Sequence, residues 1–272
     1  MNVTLWGTRG SLATPGPDTT RYGGNTACVQ VDAEDGTVLV LDAGTGIRRL
    51  GVRLGGSVRR VDVLLTHLHM DHIQGLGFFA PLYNPNMEVN IWGQASTTLS
   101  LRQRLGRYLS PPLFPVRLRD LDCALHLHEV PCGDFAIGPF RIACQHVCHP
   151  GPTVGYRISA AGATLTYLPD HEPALGAWDV PREAEWTSGH ALAAGADLLI
   201  HDAQYTDAQY RQCTGWGHSS LRQAFQFAAL ARIRRLVPFH HDPSHDDDTL
   251  DRLFAAAVAE LRPAFAVAPG QE

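Results

Sequence analysis

At 272 residues, 44% of them hydrophobic and 18% charged, the chain has the length for one large domain or two small ones and reads as soluble and globular. No apolar run approaches the length of a membrane helix, and Met1-Asn2-Val3-Thr4-Leu5-Trp6-Gly7 lacks the basic and apolar regions of a secretory signal, so a cytoplasmic protein with no membrane partner is expected. The net charge of −5 argues against broad nucleic-acid binding, and because lysine is absent, any cationic contact to a phosphate falls to arginine.

In chain order, Val3 to Trp6, Cys28 to Val31 and Val38 to Leu41 read as short strands separated by Gly- and Pro-rich turns. Val61 to Thr66 is an apolar strand that leads into a histidine cluster. Val89 to Trp92 is another strand, and Thr97 to Leu109 a helix, broken by Ser110-Pro111-Pro112-Leu113-Phe114-Pro115. Ala124 to Val130, Phe140 to His146, Val154 to Ser159 and Ala163 to Leu168 follow as strands. The last third alternates: strand Ala196 to Ile200, helix Ser220 to Arg232 with Ser220 and Gln223 at capping-box spacing, strand Leu236 to Phe239, and helix Thr249 to Leu261 entered through Ser244 and an acidic first turn. This layout predicts one α/β domain of two mixed sheets packed face to face with helices outside. Cys28, Cys123, Cys132, Cys144, Cys148 and Cys213 form no C-x-x-C pair and read as free thiols in a reducing compartment.

The most informative segment is Thr66-His67-Leu68-His69-Met70-Asp71-His72, three imidazoles and a carboxylate at the end of a buried strand. Open sites of α/β proteins gather at strand ends, and mixed nitrogen and oxygen donors suit a zinc-like ion. His149, Asp170, the His201-Asp202 pair and the His240-His241 pair close other predicted strands, so they too are candidates for a converging site. His126, His128, His171, His190 and His245 lack such support and read as structural or exposed.

The cluster resembles the His-x-His-x-Asp-His signature of the metallo-β-lactamase fold superfamily. Leu41-Asp42-Ala43-Gly44-Thr45-Gly46 resembles that superfamily's second-strand motif, in which the Asp supports the histidine loop. His149 before Gly155-Tyr156-Arg157, Asp170 and His240 are similar to its later metal-binding motifs. His201-Asp202-Ala203-Gln204-Tyr205 and Gly217-His218-Ser219-Ser220 resemble motifs of its phosphodiesterase branch, which includes the transfer-RNA 3′-processing endonuclease. Gly7-Thr8-Arg9-Gly10-Ser11, Arg21-Tyr22-Gly23-Gly24-Asn25-Thr26 and His240-His241-Asp242-Pro243 resemble a bacterial subgroup described as metal-dependent hydrolases or cyclic-nucleotide phosphodiesterases.

The resemblance implies a four-layer αββα sandwich over the whole chain, with an insertion at about 78–121. It implies two divalent ions, Zn2+ by default with Mn2+ or Fe2+ as alternatives. His67, His69 and His149 would hold one, Asp71, His72 and His240 the other, and Asp170 would bridge them; His241 is the rival of His240. A hydroxide between the ions would attack a phosphodiester, with Asp71 orienting it. His218, oriented by Asp202, would contact the phosphate or protonate the leaving oxygen. Asp202 stands where the family often has Glu, one methylene longer.

Several branches separate by residues. Oxygen-reducing di-iron members carry Glu at the place of His69, and true lactamases lack the motifs of Asp202 and His218. The transfer-RNA endonuclease carries an arm between Gly-Tyr-Arg and the bridging Asp, where this chain has thirteen positions from Arg157 to Asp170, enough for a hairpin only. A small cyclic nucleotide is therefore the expected substrate, with transfer-RNA 3′ processing as runner-up. Hydrolysis of another ester and a non-catalytic metal-binding sensor module complete the alternatives, and a homodimer is the expectation by analogy. The 78–121 segment, with Tyr83, Arg102, Arg104, Arg107 and Tyr108, either walls the active site or is an ordinary helix with a solvated arginine face.

Overall fold

A computed structural model describes residues 1–56, 58–130 and 133–272. The first three strands, β1 (Asn2–Gly7), β2 (Cys28–Asp32) and β3 (Val38–Leu41), pair antiparallel. Helix α1 (Ile47–Leu54) carries the chain across to β4 (Arg60–Leu64), which is parallel to β3. The short α2 (Met70–Ile73) leads to β5 (Glu88–Gln94), and α3 (Leu101–Tyr108) to β6 (Ala124–Val130), both strands adding in parallel. The strands of this sheet thus lie in chain order.

A second sheet opens with the meander β7 (Gly133–Ile137), β8 (Phe140–His146), β9 (Val154–Ala160) and β10 (Ala163–Leu168). It continues in parallel with β11 (Leu198–Asp202), β12 (Arg235–Phe239) and the short β13 (Ala266–Val267). Helices α4 (His190–Ala193), α5 (Asp207–Cys213), α6 (Leu221–Leu230) and α7 (Asp247–Leu261) lie within this half.

Side-chain alternation along each strand builds the layers. Leu39 and Leu41 of β3 face inward, where they join Phe140, Ile142, Tyr156 and Ile158 of the second sheet. Val38 and Val40 of the same strand face outward, onto Ile47, Leu50 and Leu54 of α1. In the second sheet Ile200 and Val237 point into the inter-sheet core, while Leu199 and Leu236 point out to Phe225, Phe227 and Ala228 of α6. Each such fully buried side chain contributes about 1.5–3 kcal/mol, so a one-residue slip that exchanged the faces would forfeit the core. The expected αββα sandwich is the fold observed.

Several boundaries depart from the sequence reading, among them β11, which starts at Leu198 and takes in His201 and Asp202, and α6, which ends at Leu230. α3 starts at Leu101, not Thr97, because Ser100 caps it: its hydroxyl accepts from Gln103 N, and Gln103 Oε1 accepts from Ser100 N at 2.9 Å. α7 starts at Asp247 with Asp246 as its cap; Ser244 instead donates its hydroxyl to Asp242. β4 ends at Leu64, two residues before Thr66. The 78–121 stretch supplies an interior strand, β5, as well as α3. Among the described residues no helix is long and apolar enough to cross a membrane. Among the described residues Cys28, Cys123, Cys144, Cys148 and Cys213 form no disulfide, and Cys132 lies outside the described residues.

Candidate metal centre

Parallel β10, β11 and β12 deliver their carboxyl ends to one edge of the second sheet, and β4 delivers its own from the first sheet. Asp170, Asp202, His240 and the His67–His72 loop meet there. The loop is anchored from beneath by Asp42, fully buried and in a left-handed backbone conformation at φ 58°. Its carboxylate accepts from Thr66 N at 2.7 Å, from Tyr167 Oη at 3.0 Å and from His72 Nδ1 at 2.8 Å. With Nδ1 so engaged, His72 turns Nε2 toward the centre. This is the supporting role the resemblance implies for Asp42.

Two donor groups share one residue. His67, His69, His149 and Asp170 form the first; Asp71, His72, Asp170 and His240 form the second, and in each the donor atoms lie within 4.8 Å of one another. Asp170 Oδ2 is 3.7 Å from both His67 Nε2 and His149 Nε2, and Oδ1 is 2.9 Å from His72 Nε2 and 3.4 Å from His240 Nε2. Asp71 Oδ2 is 3.1 Å from His240 Nε2. The outward ring nitrogens of three more histidines are committed elsewhere: His67 Nδ1 to Thr66 Oγ1 at 3.1 Å, His149 Nδ1 to Gly217 O at 2.8 Å and His240 Nδ1 to Gln204 Oε1 at 3.0 Å. All seven sequence candidates therefore converge.

The donor chemistry fits a pair of cations. His67 Nε2 is buried with no hydrogen-bond partner, and His72 Nε2 and Asp170 Oδ1 are buried against each other at 2.9 Å, an arrangement costly in a site meant to hold nothing. Burial pushes His67, His69 and His149 below the ordinary imidazole range, leaving neutral rings as ligation requires. At His72 burial opposes a charge, but the Asp170, Asp71 and Asp42 carboxylates override it and hold the pKa well above the usual value. Positive charge is thus favoured at the second group.

His218 and Asp202 sit beside this centre. Asp202 Oδ2 is 2.6 Å from His218 Nδ1, so the shorter carboxylate reaches. Burial works against a charged His218, but the Asp202 carboxylate outweighs it and lifts the pKa to about 9. The His218 ring stacks on His240 with centroids 4.8 Å apart, and Nδ1 is 4.0 Å from Asp170 Oδ2. Two other candidates fall outside. His241 turns away, its Nε2 on Gly270 O at 2.9 Å, and burial lowers its pKa to about 3. His201 packs against His171 and Phe227 instead. Of the histidines set aside, His128 stacks on Trp92.

The sequence reading places Arg9, Gly10 and Ser11 in a motif without giving them a role, and passes over Glu172. Ser11 N donates to Asp71 Oδ2 at 2.8 Å, and Gly10 leaves room for the His240 ring: a Cβ there would lie 2.3 Å from Nδ1. Fully buried Arg9 ties that loop down by donating to Gly23 O and His245 O and pairing with Asp247. Glu172, 2% exposed, accepts from Tyr210 Oη at 2.8 Å, Gly215 N at 2.9 Å and Gly217 N at 2.8 Å. It thereby fixes the loop that carries His218 and presents the Gly217 carbonyl to His149. Gly217 is at φ +89°, and a Cβ would meet His149 Nδ1 at 2.4 Å. The sequence singles out this loop through its Gly217-His218-Ser219-Ser220 motif, but not the carboxylate that fixes it. Glu172→Gln would set an amide N–H against one of three donors. It is expected to weaken metal affinity by about 10–100-fold, as outer partners of ligands do, measured by competition with a chromogenic chelator. Unchanged affinity would show that the loop holds its shape without the carboxylate.

Residues 37–241, most of the chain, match the beta-lactamase superfamily domain. The chain belongs to the beta-lactamase superfamily. It is 27% identical over 262 residues to a ribonuclease Z of Gemmatimonas aurantiaca, the match covering 80% of each protein. Among solved structures of the superfamily's fold it is similar to YhfI from Bacillus subtilis, with TM-score 0.70, 18% identity and coverage of 99% of this chain and 95% of that one. It is likewise similar to Zn2+-bound PqqB from Methylobacterium extorquens, with TM-score 0.69, 21% identity and coverage of 100% and 99%. As a superfamily member with this His and Asp cluster, the protein is a metal-dependent hydrolase, as the sequence led us to expect.

Proposed function

We propose that this superfamily member is a binuclear phosphodiesterase. The observation that carries the reading is the pair of donor groups joined at Asp170 with the His218–Asp202 pair alongside. His67, His69 and His149 would hold one ion and Asp71, His72 and His240 the other, with Asp170 common to both donor groups. Two divalent ions there, Zn2+ by default and Mn2+ or Fe2+ on the same donors, supply a nucleophile at neutral pH and neutralise phosphate oxygens. The chain's residues do the rest. Asp42, Gln204 and the Gly217 carbonyl fix the ring orientations of His72, His240 and His149. Asp71, steadied by Ser11 N, accepts a proton or orients the attacking group. Asp202 keeps the proton on His218 Nδ1, so that the ring can give its other proton to the leaving oxygen.

On substrate, the ribonuclease Z relative moves an RNA phosphodiester ahead of the small cyclic nucleotide that the sequence placed first, and makes nucleic acid the favoured partner. The cyclic-nucleotide reading keeps one specific support: β9 and β10 are joined by Ala161-Gly162 alone, a tight turn with both φ positive, so no arm projects there. Incubating metal-loaded protein with bis(p-nitrophenyl) phosphate, cyclic mononucleotides, cyclic dinucleotides and precursor transfer RNA tests both levels. Turnover that a chelator abolishes supports the diesterase reading. Fewer than one ion per chain after chelator-free purification, together with no turnover of any substrate, would sink it.

A further inference from the structure

A cavity of about 410 Å³ opens beside His67 and His69, large enough for a nucleotide-sized group. Leu68, Met70, Ile73 and Leu113 give it apolar walls. Helix α3 closes it from the far side, presenting Arg104, Arg107 and Tyr108 at the i, i+3, i+4 spacing of one helix face. The wall is pinned: Leu101 and Leu105 are buried, and Tyr108 Oη donates to Gln74 O at 2.6 Å, just past the histidine loop. The reading of this helix as an active-site wall therefore has geometric support.

The two arginines differ. Arg104 is committed within the protein, donating to the Gln94 carbonyl and lying 4.0 Å from Glu129. Arg107 has no ion pair and no hydrogen bond among the described residues, although it lines the same cavity. Arg107 is exposed where it lines the cavity, so its guanidinium is accessible to a ligand seated there. The metal centre already answers the charge of the scissile phosphate. Arg107 offers a planar fork suited to one more phosphate.

We propose that Arg107 recognises a second phosphate of the same substrate, which makes the cavity a nucleotide subsite. The inference rests on the phosphodiesterase reading and sharpens it: the preferred substrates are those with at least two phosphates, a linear oligonucleotide or a cyclic dinucleotide, over a cyclic mononucleotide. The test compares kcat/KM for a linear trinucleotide, which has a second phosphate, with that for bis(p-nitrophenyl) phosphate, which has none. In Arg107→Ala the ratio of the two is expected to fall about tenfold or more, the worth of a charge-assisted hydrogen bond. Arg107→Lys should recover part of the loss, and the wild-type ratio, unlike that of Arg107→Ala, should decline as salt is raised. Arg107→Gln, which is shorter and uncharged but keeps the helix propensity, guards against a folding artefact. A role confined to the helix dipole would change thermal stability and leave the ratio alone. An unchanged ratio in both Arg107→Ala and Arg107→Gln overturns the inference, and so does a wild-type enzyme that cleaves bis(p-nitrophenyl) phosphate but not the trinucleotide. If wild-type protein cleaves neither, the diesterase reading itself falls and the subsite with it.

Discussion

Asp170→Ala is expected to bind at most one ion per chain and to lose measurable diesterase turnover while keeping its fold. Asp170 is the residue common to both donor groups, one carboxylate oxygen facing His72 and His240 and the other facing His67 and His149. Losing it removes a donor from each ion and the negative charge that lets two cations sit close together. The fold has less to lose. The Asp170 carboxylate lies at ion-pair distances from histidines of the site, and those it faces are held by other residues: His72 by Asp42, His240 by Gln204. Burial opposes the Asp170 charge, and the surrounding imidazoles, His240 and His72 foremost, overcome it, holding the carboxyl well below the usual range. Plasma-emission metal analysis, diesterase assay and circular dichroism on one preparation check all three parts. Wild-type turnover would show that Asp170 is not a ligand.

His218→Ala has a different signature. Loss of a positioned general acid is expected to lower kcat by about 10²–10⁴-fold, with the metal content unchanged. His218 Nδ1 is engaged by Asp202 at 2.6 Å and lies 4.0 Å from Asp170, outside both groups built on Asp170. Asp202, His218 and His240 do form a third cluster of potential donors, so the experiment has a real alternative. If metal content falls in step with kcat, His218 serves the ions and not the leaving group. Asp202→Asn provides the companion measurement. It keeps the side-chain shape but replaces a charge with an amide, and should reproduce part of the His218→Ala loss with two ions still bound.

What could be read from the chain divides along physical lines. β3 and β12 were legible because runs such as Val38 to Leu41 and Leu236 to Phe239 are buried on both faces and interrupted by no polar residue. The candidate donors could be picked out because histidines and aspartates at strand ends carry their chemistry in their identity. α1, α4, α5, β7 and β13 were not read. α1 carries Gly51 on its buried face, where the Phe79 ring packs closely, and β7 and β13 are short and partly exposed, so their hydrophobic patterns are weak. The supports of the site were hidden for another reason. Glu172, Gln204, Ser11 and Arg9 act through bonds to residues 45, 36, 60 and 236 positions away in the chain, and such partnerships leave no local spacing to find. His201 was misleading for the same reason: its place at a strand end suited a ligand, but alternation points its ring to the helix layer, onto His171 and Phe227.

The central claim is that this superfamily member holds two ions around Asp170. It is tested most directly by anomalous diffraction at the zinc edge from crystals of protein purified without chelator and loaded with zinc. The account predicts two peaks, one among His67, His69 and His149 and the other among Asp71, His72 and His240, with Asp170 between them. Peaks absent from those positions, or placed on His201 or His241, would contradict it.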